Sequence, residues 1–193
     1  MASLVLAGNT SGSITVEVPA VAGSNTQTLV ATTGTLAPIV SGTAKVAVTD
    51  FTTSADFTGI PSWVKRITVM FNGVSLSGTD QILIQIGDSG GLETTGYQSV
   101  STVTGNTTAS TSSTTGMILN VSSASAILHG QVIFTLVTGT TWVSSHSLAN
   151  YLSIFYSVSG GGAKTLSDTL TQISVTRTGT NTFDAGTINI LYE

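Results

Sequence analysis

Val64-Lys65-Arg66-Ile67-Thr68-Val69-Met70-Phe71 alternates strictly: Ile67, Val69 and Phe71 share one face, and Arg66, Thr68 and Met70 share the other. A period of two over that length marks a half-buried β-strand. Asn72-Gly73 follows and predicts a tight turn. The same signature recurs further along the chain. Gln81 to Ile86 puts Ile82, Ile84 and Ile86 together. Within Ala126 to Val137, the residues Leu128, Val132, Phe134 and Leu136 share a face. Tyr151 to Val158 sets Leu152, Ile154, Tyr156 and Val158 against Tyr151, Ser153, Phe155 and Ser157. Thr169 to Arg177 and Thr187 to Tyr192 complete the set, the latter with Ile188, Ile190 and Tyr192 in phase. No window of useful length repeats at 3.6 residues. Short strands separated by turn signals predict an all-β fold, an antiparallel two-sheet β-sandwich of jelly-roll-like type. Thr102 to Gly116 is almost wholly Ser, Thr, Gly and Asn and reads as a long polar loop.

Composition narrows the function. Of the 193 residues only 7% are charged, against about 25% in an average soluble chain. Ser and Thr make up roughly a third of the residues. With 5 basic residues and a net charge of −4, there is no electrostatic footprint for nucleic acid. Cys is 0, which removes disulfides, Cys-ligated zinc and a thiol nucleophile. The 40% hydrophobic content, much of it β-branched, argues against disorder. Met1 to Gly8 has no positive n-region, and no run approaches the ~20 apolar residues of a spanning helix, so neither a secretory leader nor a membrane span is expected. The sequons at Asn9, Asn106 and Asn120 are expected by chance in such a composition.

Residues 1–50 differ from residues 51–193. The first stretch has no aromatic residue, and its charges are Glu17, Lys45 and Asp50. It offers two alternating runs, Ile14 to Val18 and Lys45 to Thr49, with turn signals at Gly23-Ser24-Asn25 and Gly34 between them. Without large side chains it cannot make a core of its own. It therefore reads as an extended N-terminal arm that docks on something else, and residues 51–193 read as the sandwich head.

Two runs in the head carry a resemblance. One is Ile60-Pro61-Ser62-Trp63 leading into Val64 to Phe71, followed by Gln85-Ile86-Gly87-Asp88-Ser89-Gly90-Gly91-Leu92-Glu93-Thr94-Thr95-Gly96-Tyr97. The other is Thr182-Phe183-Asp184-Ala185-Gly186-Thr187-Ile188-Asn189-Ile190-Leu191-Tyr192-Glu193. Together, over roughly residues 55–193, they resemble the β-sandwich heads of tailed-bacteriophage surface proteins: tail-fibre and tailspike tips, and capsid decoration (cement) proteins. Pro19 to Thr26 is similar to the Gly/Thr/Ala-rich segments that precede such heads. The resemblance implies a homotrimer in the virion, on the capsid or on the tail. It brings no catalytic set.

Each chemical motif has a plain structural reading beside it. Gly87-Asp88-Ser89-Gly90-Gly91 matches the nucleophile segment of chymotrypsin-like proteases. That chemistry needs a His ahead of the Ser, and His129 and His146 both follow it. The motif reads instead as a strand end entering a turn, with Asp88 as an acceptor for the turn. Two His without nearby carboxylates do not make a transition-metal site. A trimer with one His per chain at its axis would supply three ligands, and sequence does not say whether His129 or His146 lies there. Asp80, Asp88, Asp168 and Asp184 are placed in turns, and no cofactor is expected. Trp63 is expected at the sandwich rim. Trp142 follows a hairpin turn, and beside Tyr151 it would offer aromatic faces for a sugar to stack on. The preferred reading of Trp142 is nevertheless a half-buried place in the core.

The expected function is structural: a bacteriophage virion-surface protein rather than an enzyme. It would be a homotrimer that contacts the major capsid protein or tail proteins and, through the head, a host glycan. Capsid decoration is preferred to a tail fibre, because the 50-residue arm shows no coiled-coil heptads to build a shaft. The alternative is a tail-fibre or tailspike-tip receptor-binding protein.

Overall fold

The computed structural model describes residues 3–7, 13–17, 39–106, 108–121, 123–152 and 154–193. They belong to two units, Met1–Leu36 and Ala37–Glu193. In the first unit, β1 (Ser3–Ala7) and β2 (Ser13–Glu17) pair antiparallel, with Ser3 opposite Glu17 and Ala7 opposite Ser13. Most of the run Ile14 to Val18 is therefore a strand with a partner in its own unit. Pro19 to Thr26, Gly34 and the first sequon lie outside the described residues, as do Thr107 and Ser122 of the other two.

The second unit is all-β, and every strand pairing in it is antiparallel. Its strands are β3 (Val40–Ser41), β4 (Lys45–Val46), β5 (Ala55–Thr58), β6 (Arg66–Leu76), β7 (Ile82–Asp88), β8 (Gly91–Leu92) and β9 (Gln98–Thr104). There follow β10 (Thr108–Ser113), β11 (Met117–Leu119), β12 (Ile127–Thr138), β13 (Thr141–Leu152), β14 (Ile154–Thr165), β15 (Gln172–Arg177) and β16 (Phe183–Tyr192). A 9-stranded sheet runs β10-β9-β14-β13-β12-β6-β16-β3, with β4 also on β16. A 5-stranded sheet runs β11-β7-β15-β5, with β8 on β7. One core lies between them, filled by Ile67, Val69, Phe134 and Ile190 from the large sheet and by Ile82, Ile84, Ile86 and Val175 from the small one. This is the two-sheet sandwich that the alternation predicts.

Four local expectations are corrected. The head begins at Ala37, not near residue 51. Residues 40–41 and 45–46 lie along β16, the Gly42 amide donates to the Ile190 carbonyl at 2.8 Å, and Ala47 is buried. Lys45 and its neighbours thus find a sheet edge in their own chain. Asn72-Gly73 is not a turn, because β6 runs through it to Leu76. Gly73 has φ +69°, and the facing strand slips register around Gly186, φ +96°. The pair forms an irregular bulge. A Cβ on Gly186 would sit 2.5 Å from the Gly73 backbone, closer than any side chain tolerates. Thr102 to Gly116 is not a loop. Most of it is the hairpin of β9 and β10, in register from Thr108 opposite Thr104 to Ser113 opposite Ser99. Asp184 lies in β16, where its carboxylate accepts the Ser75 hydroxyl.

Candidate functional site

Register and burial together assign the two faces of the large sheet. Across β12, β13 and β14, Phe134, Ser144 and Gly162 lie side by side on the inner face, as do Val132, His146 and Gly160. The residues between them point outward. At the β9–β14–β13 end the inner face turns polar. His146 is 6% exposed, and its Nε2 lies 2.9 Å from Ser101 Oγ. Ser101 Oγ also accepts the Asn120 amide, and Ser99 Oγ accepts the Ile118 amide. These bonds tie the large sheet to β11 and the residue after it. Gly160 makes room for the ring, since a Cβ there would stand 2.8 Å from His146 Cε1. His146 Nδ1, Ser144 Oγ and Asn150 Oδ1 are buried without a partner among the described residues. Burial pushes the His146 imidazole down from 6.5 to about 4, so it is neutral at pH 7.

A second polar cluster holds the turn of the protease-like motif. Asp88 ends β7 and is buried, while Ser89 is exposed at the turn. Asp88 Oδ1 accepts the Gly90 amide at 2.7 Å, and Oδ2 accepts the Ser167 hydroxyl at 2.6 Å. The Ser167 bond first, and the Gly90 bond second, hold the Asp88 carboxyl below its ordinary range. Beside it, the buried Lys164 pairs with Glu93, and Lys164 Nζ lies 5.4 Å from the centre of the Tyr97 ring. Burial alone would raise the Glu93 carboxyl, but Lys164 and Ser167 outweigh it and hold it low. Tyr97 is 1% exposed, its hydroxyl accepts the Ile86 amide at 2.8 Å, and burial pushes its pKa up, which keeps the phenol neutral. This cluster locks the β7–β8 turn to the β14–β15 connection. Both His belong to the other sheet, so neither imidazole shares the sheet of Ser89. Asp88 does what a turn acceptor does.

The remaining candidates fall apart in space. Trp142 is 2% exposed and belongs to the core, while Tyr151, at the far end of β13, is 41% exposed. The two aromatics do not share a face: register puts Trp142 inward beside Lys164 and Tyr151 outward beside Phe155. Phe155 is the partner that sequence reasoning missed. It is 77% exposed, and its ring centre lies 4.9 Å from that of Tyr151 at 44°. The available signal was the odd-numbered phase of Tyr151 to Val158. Trp63 sits at the rim, 6.0 Å from the Tyr192 ring. His146 is enclosed, whereas His129 faces outward and its Nδ1 accepts the Gly73 amide at 3.2 Å. Among the described residues no three His, Asp or Glu converge on a metal position. A cleft of about 240 Å³ lies between β5 and β16, with Lys45 Nζ 5.6 Å from the Phe57 ring centre on its wall.

The largest feature is the outer face of the big sheet. From β9 to β12 it presents Gln98, Val100, Thr102 and Thr104, then Phe155, Ser157, Ser159, Gly161 and Ala163. Val143, Ser145, Ser147, Ala149 and Tyr151 come next, followed by Ile127, His129, Gln131, Ile133 and Val137. Continuing to β16, the charged side chains on this face stand at its margin: Arg66 pairs with Glu193 at 3.1 Å at one corner, and Asp184 accepts the Ser75 hydroxyl at the other end of β16. A sheet face that meets only water normally carries charge. This one offers hydroxyls, small residues and exposed Val100, Val143 and Phe155. Comparisons with family models, with curated proteins and with solved structures find no match to this chain.

Proposed function

We propose that the protein is a structural component of a bacteriophage virion surface, a homotrimeric capsid decoration (cement) protein without enzymatic activity. The observation that carries this reading is the broad outer face of the large sheet, whose few charges stand at its margin as the Arg66–Glu193 pair and Asp184. Such a face suits contact with sister chains, because covering it strands no ions. Residues 1–36 serve as the attachment segment to the major capsid protein. The inward-facing hydroxyls and the locked Ser89 turn also favour a scaffold over a catalyst. Light scattering of the purified protein tests the assembly, with three chains per particle or a multiple of three expected, and a monomer at micromolar concentration against it. Labelling of intact particles tests the location, with label on the capsid expected.

The exposed Tyr151–Phe155 pair favours a second reading, a tail-fibre or tailspike-tip protein that binds a host glycan. A pair of aromatic faces in a neutral rim suits the C–H face of a sugar ring. Loss of glycan binding in Phe155→Ala, with label on the tail, would select it.

A further inference from the structure

We infer that β10 is an assembly edge, and that it pairs antiparallel with β10 of a second copy to continue the large sheet across a two-fold axis. The inference goes beyond the virion reading and does not depend on it. The described head has four sheet edges, and three of them are blunted. On the large sheet, β16 is covered by β3 and β4. On the small sheet, β5 has 4 residues and carries Asp56, and β11 has 3 residues that are all buried. The remaining edge is β10. Its 6 residues, Thr-Ala-Ser-Thr-Ser-Ser, include exposed Thr108, Ala109, Ser110 and Ser112 and partly buried Thr111 and Ser113, and they hold regular register with β9 throughout. It has no Lys, no Pro and no bulge, the devices that keep an edge from pairing. Asn120 Nδ2 reaches the Ala109 carbonyl at 3.1 Å. At Ser110, Thr111 and Ser112 no such contact comes from outside the sheet among the described residues.

The composition of the edge says what fits it. A charged partner strand would find no counter-charge on β10. A second β10 brings the same small hydroxylated side chains. The β9–β10 pair already uses them, with Thr102 Oγ1 2.8 Å from Ser110 Oγ. Another strand of this composition extends that ladder by one rung. A two-fold axis normal to the sheet keeps outer face with outer face. It therefore sets Ser110 opposite either Ser110 or Ser112 of the second copy. Backbone hydrogen bonds supply the affinity, as in other strand additions.

The test is mass measurement of the whole chain with charge placed on the edge. Wild-type protein is expected as an even-numbered assembly: two chains if the edge acts alone, six if the face-mediated trimer also forms. Ser110→Lys with Ser112→Lys should weaken the two-fold association at least tenfold, and so should Ser110→Glu with Ser112→Glu. Mixing the two variants should restore it, which no loss of folding could do. Backbone amides of residues 108–113 should gain exchange protection with rising protein concentration. A wild-type protein that stays monomeric or purely trimeric overturns the inference. So do charged variants that associate like wild type, or β10 amides protected only after a different protein is added. A trimer without two-fold pairing would leave the virion reading standing while removing this one. A two-chain particle would do the reverse.

Discussion

At the scale of single residues, the polar groups inside the sandwich decide its response to pH and to mutation. His146 binds a proton near pH 4 in the folded chain and near 6.5 when unfolded. Between those values the unfolded state holds more protons. Stability is therefore full above about pH 6.5 and falls as the pH drops toward 4, with a slope approaching about 1.4 kcal/mol per pH unit. Urea melts across that window should show the slope, and His146→Gln should flatten it. Asp88 and Glu93 act lower down. Their carboxyls lie below 3.8 and 4.5, so their contribution is intact above those values and is lost as the pH falls through the lowered ones. Glu93→Ala leaves Lys164 buried without its partner and should cost about 1.5–3 kcal/mol. Glu93→Ala with Lys164→Met should recover part of that loss in the same melts. Little of this was legible beforehand. The run Trp142 to Asn150 alternates, but its inner set, Trp142, Ser144, His146, Leu148 and Asn150, is as polar as its outer one. Polarity therefore could not say which face was buried, and Trp142 was read both as a sugar platform and, preferably, as a core residue; the core holds it. Asp88 was read correctly, because a turn acceptor depends on neighbours only two residues away.

At the scale of elements, period-two patterning succeeded wherever one face was apolar and failed where both were alike. β6, β7, β12 and β16 lie where their Ile, Val and Phe spacing predicts. β9 and β10 were missed because Ser and Thr on both faces give no alternation. What holds them is the backbone ladder and the good fit of Thr to a pleated surface. The Asn72-Gly73 signal failed for another reason. A Gly with positive φ serves a bulge as well as a turn, and only the facing Gly186 distinguishes them. Gly186→Ala should cost about 1–3 kcal/mol, since a methyl there meets the Gly73 backbone and φ is +96°. Thermal unfolding measures it. Gly139, also at positive φ but with open space around its Cα, should lose less on the same change.

At the scale of the whole molecule, the boundary at 36/37 changes what a truncation should do. A chain of residues 37–193 should fold and melt cooperatively. Removing residues 37–50 as well uncovers the β16 edge and takes away Ala47 and the Gly42 and Ala47 amide bonds to Ile190 and Gly186. At about 0.5–1.5 kcal/mol per hydrogen bond, the shorter chain should melt several degrees lower. Equal melting temperatures would return residues 37–50 to the arm. The sequence placed the break too late because it judged the arm by its lack of aromatics. A sheet edge needs backbone groups rather than bulky side chains, so strands of two residues leave no such mark.

The position of β16 has a consequence for biosynthesis. It lies between β6 and the early β3–β4 segment, and Asn189 meets Ser41, 148 positions away in the chain. While the ribosome is still making residues 42–182, β3, β4 and one side of β6 have no partner to receive them. Until β16 emerges, that side of β6 and the β3–β4 segment stay open, so this edge of the large sheet closes last. Such distant pairing belongs to slow folders, on the order of milliseconds to seconds. A nascent chain stalled before Phe183 would expose β-strand edges and should be a client for chaperones.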